Sequence, residues 1–393
     1  VSRNSTRWLP AIVVPVVIVA GVIAVPLQAG ATVDLPDKTP EQVLLMVSDS
    51  TISAFSGTVD KTAELGLPDI DLNAGMSDSM SDSMAESAPE GTTEAGAAAT
   101  GALASVMELF SGSHTARIYV DGSDSDGPAK ARVQIQDRMA ERNVVSNGTD
   151  VWTYDSETNT ASHLTIPADA RAIAEAQYAA IVDSAPAGLS TPSQVAERFL
   201  SEIDPSTTVS VGTDGTVAGR TAYELVLTPK ATRTLVESVS ISVDSETGVP
   251  LQVTVRADGQ EDPAFQVGFT AVDFSTPSAD LFDFTPPAGA TVEEIALPVM
   301  PEITEMTADQ AKPEIPAENL PLVTGSGWDA IVEVPAASVP SELNANPLIL
   351  ELATAVDGGR LFSTALVNVF LTDDGRVFAG SVPVEMLQAA AAQ

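Results

Sequence analysis

With 393 residues and 44% hydrophobic content, the chain is long enough for two or three ordinary domains with a sizeable core. Its formal charge of -36 excludes attraction to a phosphate backbone, so no nucleic acid is expected as a partner. The absence of cysteine excludes disulfides, thiolate zinc sites, thiol nucleophiles and an acylated cysteine anchor.

Taken in chain order, the first feature is the uncharged run from Trp8 to Leu27, about 20 residues and long enough to cross a bilayer as a helix. Arg3 and Arg7 precede it and Asp34 and Asp37 follow, which places the downstream chain outside the cytoplasm. Residues 1–31 read either as a single-pass anchor in the cytoplasmic membrane or, since Ala29-Gly30-Ala31 fits a small-residue cleavage site, as a signal peptide removed on secretion. "TPEQVLLMVSDS" then predicts a helix, with Thr39 as N-cap, Pro40 at the first helical position and Gln42 completing a capping box. "TPSQVAERFLSEID" repeats the signal at 191–204, where Val195, Phe199 and Ile203 recur every four residues. "ADARAIAEAQYAAIVDSA" at 168–185 predicts a third helix.

Around these helices the pattern turns to a period of two. Val239, Ile241 and Val243 alternate with serines; Leu251, Val253 and Val255 alternate with Gln252, Thr254 and Arg256; Phe265, Val267 and Phe269 follow suit. Weaker alternation in "SAFSGTVDKTAEL", "HTARIYVDG", "AKARVQIQD", "DVWTYD", "TTVSVGTDG" and "TAYELVLTP" brings the count to about nine strands before residue 275. Residues 72–102 are Ser, Asp, Ala and Gly with almost no large apolar side chains, and predict a disordered insertion. Residues 286–320, rich in Pro and Glu, read as a linker. A smaller α+β unit is expected over 321–393, built on one long strand from Leu361 to Leu371, a hairpin at Asp374-Gly375, and a helix around "PLILELATAVDG".

No constellation in the chain specifies catalysis. "DGSDSDGPAKARV" misses a calcium loop at both ends, since Gly122 stands where Asp is required and Val133 where Glu is required. Neither His114 nor His163 has a second ligand at helical spacing, so no metal or other cofactor is expected. Ser111 and Ser113 lie near His114 but on the opposite face of its strand. The tetrapeptide DSET occurs at Asp155–Thr158, close to His163, and again at Asp244–Thr247. Both copies sit between alternating strands, with Asn159 and Gly248 able to take positive φ, so each reads as a turn and not as a pair of catalytic carboxylates.

The order and spacing of "FSGTVD", "NGTDVWTYDSETN", "VAGRTAYELVLTPK", "ISVDSETGVPLQVTV" and "VDFSTPSADLFDFTPPAGATV" resemble the LolA-like lipoprotein-carrier superfamily; the resemblance covers about residues 39–292, and the domain is expected over 32–285. That superfamily includes the carrier LolA, its receptor LolB and the envelope-stress sensor RseB; the lipid-bearing cysteine of LolB has no counterpart here. The resemblance implies an α+β fold: a large curved antiparallel sheet, an unclosed β-barrel, with helices covering its concave face. With the N-terminal transmembrane helix and the small C-terminal unit, this completes the expected architecture. It further implies noncatalytic binding or carriage of lipid or lipoprotein acyl chains in an apolar cavity at the outer face of the cytoplasmic membrane. The alternative is an RseB-like envelope regulator that binds a membrane-protein partner. Expected partners are therefore acyl chains, the membrane through the N-terminal helix, and another envelope protein. Candidate lining residues are Phe55, Val59, Ile118, Val133, Ile135, Val239, Ile241, Leu251, Val253, Phe265, Val267 and Phe269 from strands, with Ile173, Tyr178 and Phe199 from helices; the same positions also suit an ordinary core.

Overall fold

The computed structural model describes residues 33–66, 112–123, 129–136, 140–166, 205–295, 320–339 and 353–393. The first element is α1 (Pro40–Ser48), where the capping signal places it. The Thr39 hydroxyl accepts from the Gln42 amide at 3.3 Å, and the Gln42 side chain accepts from the Thr39 amide at 2.9 Å. Two otherwise unpaired donors of the first turn are satisfied reciprocally.

Thirteen strands form one sheet: β1 (Ala54–Ala63), β2 (Gly112–Asp121), β3 (Lys130–Gln136), β4 (Glu141–Ser146), β5 (Asp150–Asp155), β6 (Thr160–Thr165), β7 (Thr207–Val211), β8 (Gly215–Val217), β9 (Arg220–Pro229), β10 (Val236–Asp244), β11 (Pro250–Ala257), β12 (Phe265–Asp273) and β13 (Thr291–Ile295). Their order is β13-β6-β5-β4-β3-β2-β1-β12-β11-β10-β9-β7, with β8 beside β9, so the curved sheet stays open between its β13 and β7 edges. Among the described pairings of this sheet, β13 on β6 is parallel and the rest are antiparallel. Register shifts at Thr58/Val59 and Ser242/Val243 insert bulges that bend and twist the strands locally.

The core lies between α1 and the β9–β12 side of the sheet. Val43, fully buried, packs with Tyr223, Leu225, Val243 and Val267. The chain before α1 is tied down as well: the Tyr223 hydroxyl donates to the Pro36 carbonyl at 3.1 Å, and the Leu35 amide donates to Asp214 at 3.2 Å.

A second, six-stranded sheet has the order β14 (Leu322–Thr324), β15 (Ile331–Val334), β19 (Val377–Gly380), β18 (Asn368–Thr372), β17 (Gly359–Ser363), β16 (Thr354–Val356). α2 (Val384–Ala391) closes its core of Ile331, Phe370, Phe378, Val382 and Leu387. The two sheets touch directly. The Trp328 indole donates to the Thr207 hydroxyl at 2.8 Å, the Leu235 amide to the Ser381 carbonyl at 2.8 Å, and the Ala365 amide to the Leu65 carbonyl at 2.8 Å.

Several expectations are corrected. Among the described residues no set of helices roofs the sheet: there are two α-helices, of nine and eight residues, and α1 packs on the large sheet, over β7 and β9. One short stripe covers few strands, and Leu35, Trp328 and Leu366 supply further cover from outside any α-helix. No helix among the described residues is long and apolar enough to cross a membrane; nine residues rise about 14 Å, against a hydrocarbon core of about 30 Å. The apolar run at 8–27, the insertion at 72–102 and the helices expected at 168–185 and 191–204 lie outside the described residues. The long strand from Leu361 to Leu371 is two strands, because a turn at Thr364–Val367 breaks it: the Thr364 hydroxyl accepts from the Val367 amide at 2.9 Å and donates to its carbonyl at 2.8 Å. The hairpin at Asp374-Gly375 does form, with Gly375 at φ 89°. Of the helix expected around residues 347–358, Thr354–Val356 is instead strand β16, and 347–352 lie outside the described residues. β13 falls within the stretch read as a linker.

Candidate apolar binding face

Residues paired across strands share one face of a sheet. One such row runs Val211, Leu225, Ile241, Val253, Val267, Lys61, His114 from β7 to β2. On the same face, Phe269 pairs with Val59, Val59 with Ala116, and Ala116 with Ile135, while Ile118 pairs with Val133 and Val133 with Val144. The strand candidates named from the sequence therefore do converge on the inner face, but in two different states. Val59, Val239, Leu251, Val253 and Val267 are buried core. Ile241, Phe265, Phe269 and Ile118 are partly buried and pack against that core. Phe55 meets Phe269 edge-on, with ring centroids 6.0 Å apart, and Val133 and Ile135 are half-buried. The Phe269 ring lies where a side chain at residue 57 would be: a Cβ on Gly57 would come within 2.7 Å of it. Ile173, Tyr178 and Phe199 lie outside the described residues. Val144 was missed in the sequence and is 42% exposed; its strand reads E-R-N-V-V-S, without alternation to mark it.

On β4 and β6 the opposite face is buried. Val145 and Ala161 are buried at 1% and 0% exposure, and Phe282, at 2%, belongs to the short 3-10 turn Ala279–Phe282 that packs against β3. Arg132 fixes that segment by donating to the Leu281 carbonyl at 3.0 Å and to Asn143 at 3.1 Å. Phe284 then lies against Trp152 and Tyr154, with centroids at 5.6 and 6.0 Å.

His163 is also on this outer face, stacked on Trp152 at 4.1 Å. Its Nε2 is 3.0 Å from Asp150 and its Nδ1 3.0 Å from Glu294. Partial burial disfavours the charged ring, but the hydrogen bonds and charges of the two carboxylates outweigh it and raise the pKa above the ordinary histidine value. The first DSET is a turn beside this cluster and not part of it. Asp155 accepts from the Glu157 amide at 2.8 Å, and Asn159 takes φ 50°. The second DSET is more deeply built. Asp244, fully buried, accepts from Arg220 through both oxygens and from the Thr247 amide and hydroxyl, each at 2.7 Å. Gly248, at φ 74°, lets this turn meet α1, since a Cβ there would come within 1.9 Å of the Met46 carbonyl oxygen. A cleft of about 350 Å³ opens between them, lined by Lys38, Gln42, Asp49 and Glu246 among others. Among the described residues no group of three or more His, Asp or Glu side chains is arranged to hold a metal ion.

A family model described as "Predicted periplasmic protein (DUF2092)" matches residues 116–296, from within β2 to just past β13. Structures with a similar chain path include the Pseudomonas aeruginosa MucA/MucB complex (13% identity, TM-score 0.40, covering 90% of this chain and 96% of that one). An uncharacterized conserved protein from Thermus thermophilus matches at 10% and 0.32, over 65% and 98%. A LolA superfamily protein from Nitrosomonas europaea matches at 10% and 0.21, over 63% and 99%. No curated protein matches the chain. Placement as a single-pass protein of the cytoplasmic membrane, with the membrane as partner through an N-terminal helix, is corrected: the matching family is described as periplasmic, and no described helix can span a bilayer.

Proposed function

We propose that the chain is a noncatalytic periplasmic binding protein that acts in complex with a protein partner, closer to a regulator than to a lipid shuttle. The observation that carries this reading is Val144, 42% exposed on the inner face at the end of the row Ile118, Val133, Val144, on a strand whose outer face holds buried Asn143 and Val145. A solvent-facing Val costs hydrophobic free energy, about 25 cal/mol per Å², which a partner covering it recovers. A photocrosslinking amino acid at Val144 in cells should give one discrete adduct with an envelope protein, absent when the crosslinker sits at exposed Glu237; no adduct at Val144 overturns the reading. The same strip also suits an acyl chain. Purified protein that holds a fluorescent fatty acid, and loses it on Val144→Glu, would shift the assignment from protein to lipid cargo.

A further inference from the structure

β13 is an edge strand. All five of its residues are exposed, including Val292 and Ile295, and it is the last described element before the second unit begins at residue 320. It pairs in parallel with β6, placing Glu294 directly beside His163. We propose that His163 is a proton-controlled clasp that fixes the β13 edge to the sheet when protonated and lets it loosen when neutral.

The chemistry follows from the donor count. Both ring nitrogens face carboxylates, Nε2 toward Asp150 on β5 and Nδ1 toward Glu294 on β13, and an ionised carboxylate only accepts. An imidazolium satisfies both with two N–H donors. A neutral ring has one donor, so one nitrogen lone pair must then face a carboxylate oxygen. The contact released is the one to Glu294. Its side chain is 72% exposed and readily solvated, whereas Asp150 is 29% exposed and is held further by the Thr165 hydroxyl at 3.1 Å and Asn147 at 3.4 Å. No other charged group faces the ring among the described contacts; Trp152 covers one side of it. The raised pKa gives the sign: the clasp is fully engaged below the unfolded histidine value of about 6.5 and is lost as pH rises through the higher folded value.

Hydrogen exchange of the β13 amides in the full chain, corrected for intrinsic exchange and followed from pH 5 to pH 9, tests this. Protection of Thr291–Ile295 should fall about fivefold across the histidine titration, the size of one partly exposed ion pair. In Glu294→Gln, which leaves the His163–Asp150 contact and the Trp152 stack in place, that protection should be low and flat. His163→Phe should behave the same way while keeping the ring stack. A flat profile in the parent chain, or an unchanged fall in Glu294→Gln, overturns the proposal even where His163→Phe fails to fold.

Discussion

The two halves of the large sheet bury opposite faces. On β9 to β12 the inner face is core, with Leu225, Val243 and Leu251 at 1% exposure or less. On β4 to β6 it is the outer face that holds the buried side chains, Asn143, Val145 and Ala161, while Val144 is 42% exposed on the inner face. Period-two patterning divides a strand into two sides, but the cover decides which side is core, and cover comes from elsewhere in the chain: α1 for one half, residues 279–284 for the other. A sheet of one architecture thereby has a filled half and a half whose inner face leaves Val144 exposed.

The sharpest way to break this comparison is to remove one anchor from each half. Phe282→Ala should cost about 3–5 kcal/mol in urea unfolding, and Leu225→Ala about 2–5 kcal/mol, although they lie on opposite faces. A Phe282→Ala cost under about 1 kcal/mol would mean that the outer face of β3 to β6 is not a core.

The two DSET turns divide the same way and give the next largest effect. Asp244→Asn breaks a buried pair with Arg220 and should cost about 3 kcal/mol, whereas Asp155→Asn removes only local turn bonds and should cost about 1 kcal/mol or less. Burial works against the charge on Asp244, but Arg220 and Thr247 outweigh it and hold the pKa below the ordinary carboxylate value. Its stabilisation is therefore fully present above about pH 3.9 and is lost as pH falls through the folded value. The stability gap between parent and Asp244→Asn should close in that acid range; a gap that persists there would assign the cost to packing instead.

How much of this was legible in the sequence depended on whether the cause was local. The α1 cap, the alternation of β10 to β12 and both DSET turns are set within a few residues of themselves, and each is where the sequence places it. β4 escaped because adjacent Val144 and Val145 show no alternation, and β13 because Pro and Glu surround it. The site was legible only in part for a related reason. The strand candidates share a face, as their phase requires, but which of them are filled core depends on α1, Trp328 and Leu366, and the partners of His163 include Glu294, 131 residues away. Long-range cover leaves no periodic trace in the strand it covers.

The smallest stability effect is the one that tests function most directly. Val144→Ser replaces an exposed apolar side chain, so unfolding should change by no more than about 0.5 kcal/mol. If the inner face of β2 to β4 is a contact surface, the same change should weaken partner capture severalfold, because a serine placed under a covering partner loses apolar contact and buries a hydroxyl without a matched acceptor. A hydroxyl on a free surface has no such cost. Stability and binding must therefore separate at Val144 and move together at Leu225; a Val144→Ser chain that unfolds early, or binds its partner unchanged, would show that the open half of the sheet is only loosely packed core.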